Sequence, residues 1–189
     1  TGDGAISKSY DKRHLLWFGE TVPLGDVFPW LRRTFAKGTG LAPGTESVLF
    51  ESGRIRAAVL NCYEDTLPVA GREAMEVNPN LLVNVTNDAW FAGSAEGELH
   101  LRLATLRAIE TRRDLVRAVN KGPTSFVDAA GRVRARYSDP IPASIQVDAA
   151  LLEGSHTLYV QLGDGPLALL IALALFLQIR KVRAKTPRH

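Results

Sequence analysis

Arg56-Ala57-Ala58-Val59-Leu60-Asn61-Cys62-Tyr63-Glu64-Asp65 contains the chain's only cysteine, and its reading decides the fold. Apolar residues alternate and then run on from Ile55 to Leu60, the pattern of a buried strand, and the polar cluster Asn61 to Asp65 is the turn that leaves it. A thiol at the end of a buried strand, followed at once by carboxylates, is placed to meet a ligand above a sheet. A lone cysteine is otherwise a small core hydrophobe. Against that stands Tyr10-Asp11-Lys12-Arg13-His14-Leu15-Leu16-Trp17-Phe18-Gly19-Glu20-Thr21-Val22-Pro23, which packs titratable groups and aromatics into a segment without a helical stripe.

Working outward, Val48 to Phe50 and Arg54 to Leu60 read as a hairpin across Ser52-Gly53, and Val69 to Val77 as a helix stopped by Asn78-Pro79-Asn80. Leu81 to Thr86 is a second buried strand, ending in Asn87-Asp88-Ala89-Trp90-Phe91. Polar and aromatic groups thus sit at its C-terminal end, where ligands gather in α/β sheets. Leu99, Leu103, Leu106 and Ile109 recur at helical spacing between Glu98 and Arg113, which predicts an amphipathic helix with this stripe in the core. Strands follow over Leu115 to Asn120, Thr124 to Asp128 and Arg132 to Tyr137.

Toward the N-terminus, Ala5 to Tyr10 reads as a short strand after a turn at Thr1 to Gly4. It delivers Lys12 and His14; the histidine reads as packed and hydrogen-bonded rather than catalytic. Val22 to Pro43 is apolar but broken by Pro and Gly, and predicts a long loop with one short helix around Asp26 to Phe35. The order strand, helix, strand, helix, hairpin predicts an α/β sandwich in which helices cover sheets.

Composition bounds the function. The chain has 189 residues, 46% hydrophobic and 23% charged, which suits one globular domain. A net charge of +3 with scattered basic residues argues against a nucleic-acid face. One cysteine excludes an intrachain disulfide, and there is no His/Cys/carboxylate cluster at metal-ligand spacing in the sequence. No metal or cofactor is therefore expected.

The ordered set Tyr10-x-Lys12-x-His14-Leu15-x-x-Phe18-Gly19-Glu20-x-Val22-Pro23, Cys62-Tyr63-Glu64, Asn87-Asp88-Ala89-Trp90-Phe91, His100, Arg107-Ala108-Ile109-Glu110 and Arg117-x-x-Asn120-x-Gly122 resembles the nitrilase (carbon–nitrogen hydrolase) superfamily. More closely, it resembles the membrane-bound branch, the bacterial apolipoprotein N-acyltransferases. The resemblance implies a nitrilase-like α-β-β-α sandwich over residues 1–157, incomplete at its N-terminus. It implies a Glu–Lys–Cys mechanism in which Cys62 is the nucleophile, Lys12 the triad lysine and Glu20 a second glutamate that orients it and assists proton transfer. Tyr63 and Glu64 would support the cysteine turn, and Phe18, Trp90 and Phe91 would contact substrate. The 22–43 loop would be an apolar lid. The implied acyl donor is a membrane phospholipid, and the implied acceptor is the α-amine of the lipid-modified N-terminal cysteine of an apolipoprotein. The family's triad glutamate lies well upstream of the lysine motif, and only eleven residues precede Lys12. The chain is therefore expected to be a C-terminal portion, catalytically incomplete alone. Trp17, Ala92 and Lys121 depart from the family pattern and bear on substrate fit.

The last segment differs in kind. Pro166 to Leu177 carries no charged or polar residue and Ile179 extends it, but about 14 residues rise only roughly 21 Å, short of a hydrocarbon slab of about 30 Å. Taken from Leu162 to Val182 it reaches spanning length, with Asp164 in one interface. A transmembrane helix is thus expected over 158–182, followed by a basic cytoplasmic tail at 183–189. That orientation, set by Arg180, Lys181, Arg183, Lys185 and Arg188, places the catalytic domain on the extracytoplasmic face of the bacterial inner membrane. Three classes remain open: the membrane acyltransferase, a soluble amidase of the same superfamily, and a non-catalytic truncated product held at the membrane.

Overall fold

The computed structural model describes residues 8–25, 27–35, 41–91, 93–138, 141 and 143–185, with the side chains at 32, 90–91 and 182–185 left aside. The expected turn at 1–4, the Lys37-Gly38-Thr39-Gly40 segment, Ala92 and residues 186–189 lie outside the described residues. So do residues 5–7 of the expected first strand; residues 8–10 are described and carry no strand.

Among the described residues one six-stranded mixed sheet runs in sequence order: β1 (Leu49–Ser52), β2 (Ile55–Asn61), β3 (Leu81–Thr86), β4 (Asp114–Val119), β5 (Thr124–Val127) and β6 (Val133–Tyr137). β1 and β2 form the expected hairpin, turned at Gly53 with φ +57°. β2, β3 and β4 are parallel, joined through α2 (Pro68–Ala74) and α3 (Glu96–Thr111). Pro68 starts α2, where a missing N–H costs nothing, and left-handed Asn78 closes the 3₁₀ turn Met75–Val77 behind it. A short helix, α1 (Pro29–Phe35), lies in the apolar loop.

Both covering helices pack on one face of the sheet, where Ala58, Leu60, Leu82, Leu115 and Val127 meet Ala70, Ala74, Leu101, Ala104 and Ala108. The alanines bring helix and sheet close, so burial here depends on tight packing rather than on long side chains. This corrects the expected stripe. Leu99, Leu103, Leu106 and Ile109 are 58%, 37%, 42% and 44% exposed, and His100, Leu101, Ala104, Arg107 and Ala108 form the buried side of α3. The apolar stripe reads the helix period correctly but the wrong face, because the inner face is built from small residues and paired charges. On the other side of the sheet Val59, Val83 and Val116 are half-buried and Val85 is exposed. The second sheet of the expected sandwich does not lie among the described residues.

The tail folds as two helices, α4 (Leu158–Leu162) and α5 (Gly165–Lys185), parted at Gly163. Thr157 caps α4, its hydroxyl accepting from Val160 N at 3.1 Å. Among the described residues no helix is long and apolar enough to cross a membrane. A span over 158–182, and a two-compartment topology built on it, are not shown. α5 is uncharged as far as Ile179, and its last turns carry Arg180, Lys181, Arg183 and Lys185. Within that part Leu167, Leu169, Leu170, Ile171, Leu173 and Phe176 are each at least half exposed.

Candidate active site

The parallel strands deliver their C-terminal ends to one edge, with Asn61 beside Val85 and Thr86 beside Val119. Cys62 follows β2 directly and opens the 3₁₀ turn Cys62–Thr66. Its φ of +56° is the left-handed region, a strained conformation for a residue with a β-carbon. Asn84 on β3 holds the turn from below, its amide donating to Leu60 O at 3.0 Å and Cys62 O at 2.9 Å.

Glu64 is the hub. Fully buried, its Oε1 accepts the N–H groups of Arg13 and His14 at 2.8 and 2.9 Å, and its Oε2 accepts Asn61 N at 2.7 Å and the Tyr10 hydroxyl at 2.9 Å. One carboxylate therefore ties the 10–14 segment to the cysteine turn. Burial, then the charge of Glu64, pushes the Tyr10 phenol well above its usual range, so it stays a donor. Replacing Glu64 by alanine strands these donors. The expected loss is about 3 kcal/mol or more of unfolding free energy in urea melts, since each buried orphan costs about 1–3 kcal/mol. A loss below about 1 kcal/mol would mean that water replaces the clamp.

The segment so held presents Lys12. Its Nζ bonds Glu20 Oε2 at 2.7 Å and Oε1 at 2.9 Å, and lies 5.2 Å from the ring centroid of Tyr63, the residue after the cysteine. Lys12 is only 9% exposed, so it is no solvated surface charge. Glu20 is itself aimed by Leu16 N–H at 2.8 Å. Gly44 lets the 41–45 loop reach this segment, donating its N–H to Lys12 O at 2.8 Å; a Cβ there would run into Asp11 O. Burial, then the charges of Glu20 and Glu64, raises the Tyr63 phenol. His14 bonds Glu73 at 2.7 Å, as a packed histidine does.

Phe18, at φ +62° and half exposed, stacks edge-on with Phe35 at 5.9 Å. With Trp17, Leu24, Val27, Phe28 and Trp30 also exposed, the 17–35 region presents an apolar surface next to the Lys12–Glu20 pair. Trp90 and Phe91 belong to the 3₁₀ turn Asp88–Phe91, which leaves β3 at the same sheet edge as the cysteine turn. Their side chains lie outside the described ones.

Sequence reading gave Asp65 and Asp88 no role. Asp65 Oδ1 is 2.6 Å from His100 Nε2, Asp65 Oδ2 accepts Arg117 Nε at 2.8 Å, and Asp88 Oδ1 is 3.1 Å from His100 Nδ1. All four side chains are at most 3% exposed. The available signal was a second carboxylate directly after Glu64. Asp88, Glu96 and His100 offer donor atoms within 4.8 Å of one another, but both ring nitrogens of His100 are already spent on carboxylates. The group is a charge network, not a free ligand set. Burial alone would lower the His100 pKa; the hydrogen bonds to Asp65 and Asp88 outweigh it and raise it to about 10. A raised histidine pKa stabilises the fold fully below its unfolded value near 6.5, and that contribution is lost as pH rises through about 10. Thermal melts across that window are expected to show wild type losing its advantage over His100→Gln, and parallel curves would remove the charged pairing.

Residues 1–148 match the family model described as carbon–nitrogen hydrolase. An apolipoprotein N-acyltransferase of Bradyrhizobium diazoefficiens is 37% identical over 193 residues, covering 99% of this chain and 35% of that protein. One of Geobacter metallireducens is 34% identical over 161 residues, covering 85% and 31%. The chain thus spans about a third of the length of these curated relatives. A crystal structure of a CN-hydrolase superfamily protein from Xanthomonas campestris is similar in fold, with a TM-score of 0.52 at 22% identity over 75% of this chain and 52% of that one.

Proposed function

Because the chain belongs to the carbon–nitrogen hydrolase family, we propose that it is the cysteine-bearing part of an N-acyltransferase that moves an acyl chain from a membrane phospholipid to the α-amine of an apolipoprotein's lipid-modified N-terminal cysteine. The observation that carries the reading is the Glu64 clamp, which sets the Lys12 segment on the turn opened by Cys62. The names of the relatives supply the acceptor class and the N-acylation; the phospholipid donor is what the sequence resemblance implies.

The chemistry runs in two halves. The Cys62 thiolate attacks the ester carbonyl of the donor, and the tetrahedral oxyanion is met by the Lys12 ammonium and the Tyr63 N–H. That N–H is among the first of a 3₁₀ turn, which find no partner within the turn. Collapse breaks the ester C–O bond, and the leaving alkoxide takes the proton first removed from the thiol. The amine then attacks the thioester, the C–S bond breaks, an amide forms and the thiol is restored. Glu20, committed to Lys12 through both oxygens, orients the lysine. The proton-carrying carboxylate is by resemblance a glutamate preceding the lysine motif. The exposed apolar surface at 17–35 and the apolar part of α5 support work against lipid, since such surface is unfavourable in water.

A synthetic peptide with a diacylglyceryl-modified N-terminal cysteine, mixed with phospholipid vesicles and the full-length protein, is expected to gain one amide-linked acyl chain. An acyl chain released only as free fatty acid would make the protein a hydrolase and sink the transferase reading.

A further inference from the structure

Two turns leave the sheet at the candidate site. One begins at Cys62 and contains Asp65; the other begins at Asp88 and carries Trp90 and Phe91. A single ring on α3 stands between their carboxylates, His100 Nε2 at 2.6 Å from Asp65 and Nδ1 at 3.1 Å from Asp88. A neutral imidazole has one N–H and one lone pair, so only the imidazolium can donate to both acceptors. Each arm is fixed again behind the contact. Arg117 on β4 holds the second oxygen of Asp65, and the Thr86 hydroxyl donates to Asp88 Oδ1 at 3.0 Å. Glu96 Oε1, at 3.6 Å from Nδ1, completes the charges around the ring.

We propose that His100 is a positioning residue for the Cys62 site, its two ring N–H groups locking the turn that begins at Cys62 and the turn that carries Trp90 and Phe91 into one registration. The inference rests on reading Cys62 as the nucleophile and the second turn as substrate-facing. An apolar side chain of similar volume would fill the same space without desolvating charge. It would not set the orientation of either turn, because dispersion contacts lack the directionality of hydrogen bonds. The bridge thus gives β2 and β3 a shared reference at their C-terminal ends, where a small misplacement of a reacting group is costly.

The chain has one cysteine, so alkylation by iodoacetamide reports Cys62 alone. His100→Gln, shown to be folded at the assay temperature by circular dichroism, is expected to alkylate roughly 10-fold more slowly than wild type, as the thiol loses its set relation to Lys12. Asp88→Ala cuts only the second arm and is expected to slow the reaction too. The double variant should be no slower than the slower single one, because both changes break one connection. Alkylation rates equal to wild type in folded variants, with only a lower melting temperature, would reduce His100 to a stability residue and overturn the proposal. Should neither variant fold, the wild type decides: imidazole 15N NMR at neutral pH is expected to show both His100 nitrogens protonated, and a neutral ring with one N–H excludes the bridge. A wild type that alkylates as expected but forms no thioester would defeat the acyl-transfer reading alone, leaving the positioning role standing.

Discussion

In the full-length protein Cys62→Ala is expected to remove acyl transfer altogether, by on the order of 10⁴-fold or more, the scale on which loss of a covalent nucleophile acts. The chain offers no second thiol to take its place. Cys62→Ser is expected to be nearly as damaging, since a serine hydroxyl stays protonated where a thiol can ionise. Neither change should unfold the protein. The turn is held by Glu64 and Asn84, and the alanine variant keeps the β-carbon that the φ of +56° must accommodate. Turnover of a phospholipid donor, followed by mass spectrometry alongside urea melts, separates the two quantities. An alanine variant that keeps measurable transfer would take the nucleophile assignment away from Cys62.

Lys12 carries the second large effect. Lys12→Ala is expected to slow acylation by roughly 10²–10³-fold, the range for loss of one oxyanion donor. The side chain is 9% exposed and bound to Glu20, so truncating it also removes packing. Lys12→Met is therefore the cleaner variant. It keeps the apolar stem packed against its surroundings and leaves Glu20 the Leu16 N–H as partner. It should lose rate like the alanine variant while melting closer to wild type. Lys12→Arg should not rescue, because a planar guanidinium cannot replace a compact ammonium seated on both oxygens of Glu20. Full activity in Lys12→Met would make the lysine a packing residue.

What the sequence could reveal was local. The strands around Cys62 and the helix before Asn78 are set by apolar runs, a turn glycine, a helix-starting proline and a left-handed asparagine, and these act within a few residues. The partners of Glu64 lie 50 or more residues back along the chain, apart from Asn61, so no spacing rule could have joined them. Asp65 meets His100 and Arg117, 35 and 52 residues further on, and no spacing rule joins these either. The stripe on α3 misled because period reveals a helix but not which side is buried when the buried side is alanine and paired charge. The tail's apolar run did announce a helix, and α5 runs on through Arg180 and Lys181.

The thioester is the most direct test of this chemistry. The full-length protein, with the glutamate that precedes the lysine motif, is incubated with phospholipid vesicles without an acceptor amine, quenched in acid and digested, and the Cys62 peptide is weighed. The expected result is a peptide heavier by one acyl chain, which reverts on treatment with neutral hydroxylamine and is absent from Cys62→Ala. An unmodified Cys62 peptide while the donor is being consumed, or an acyl chain found on another residue, would contradict it.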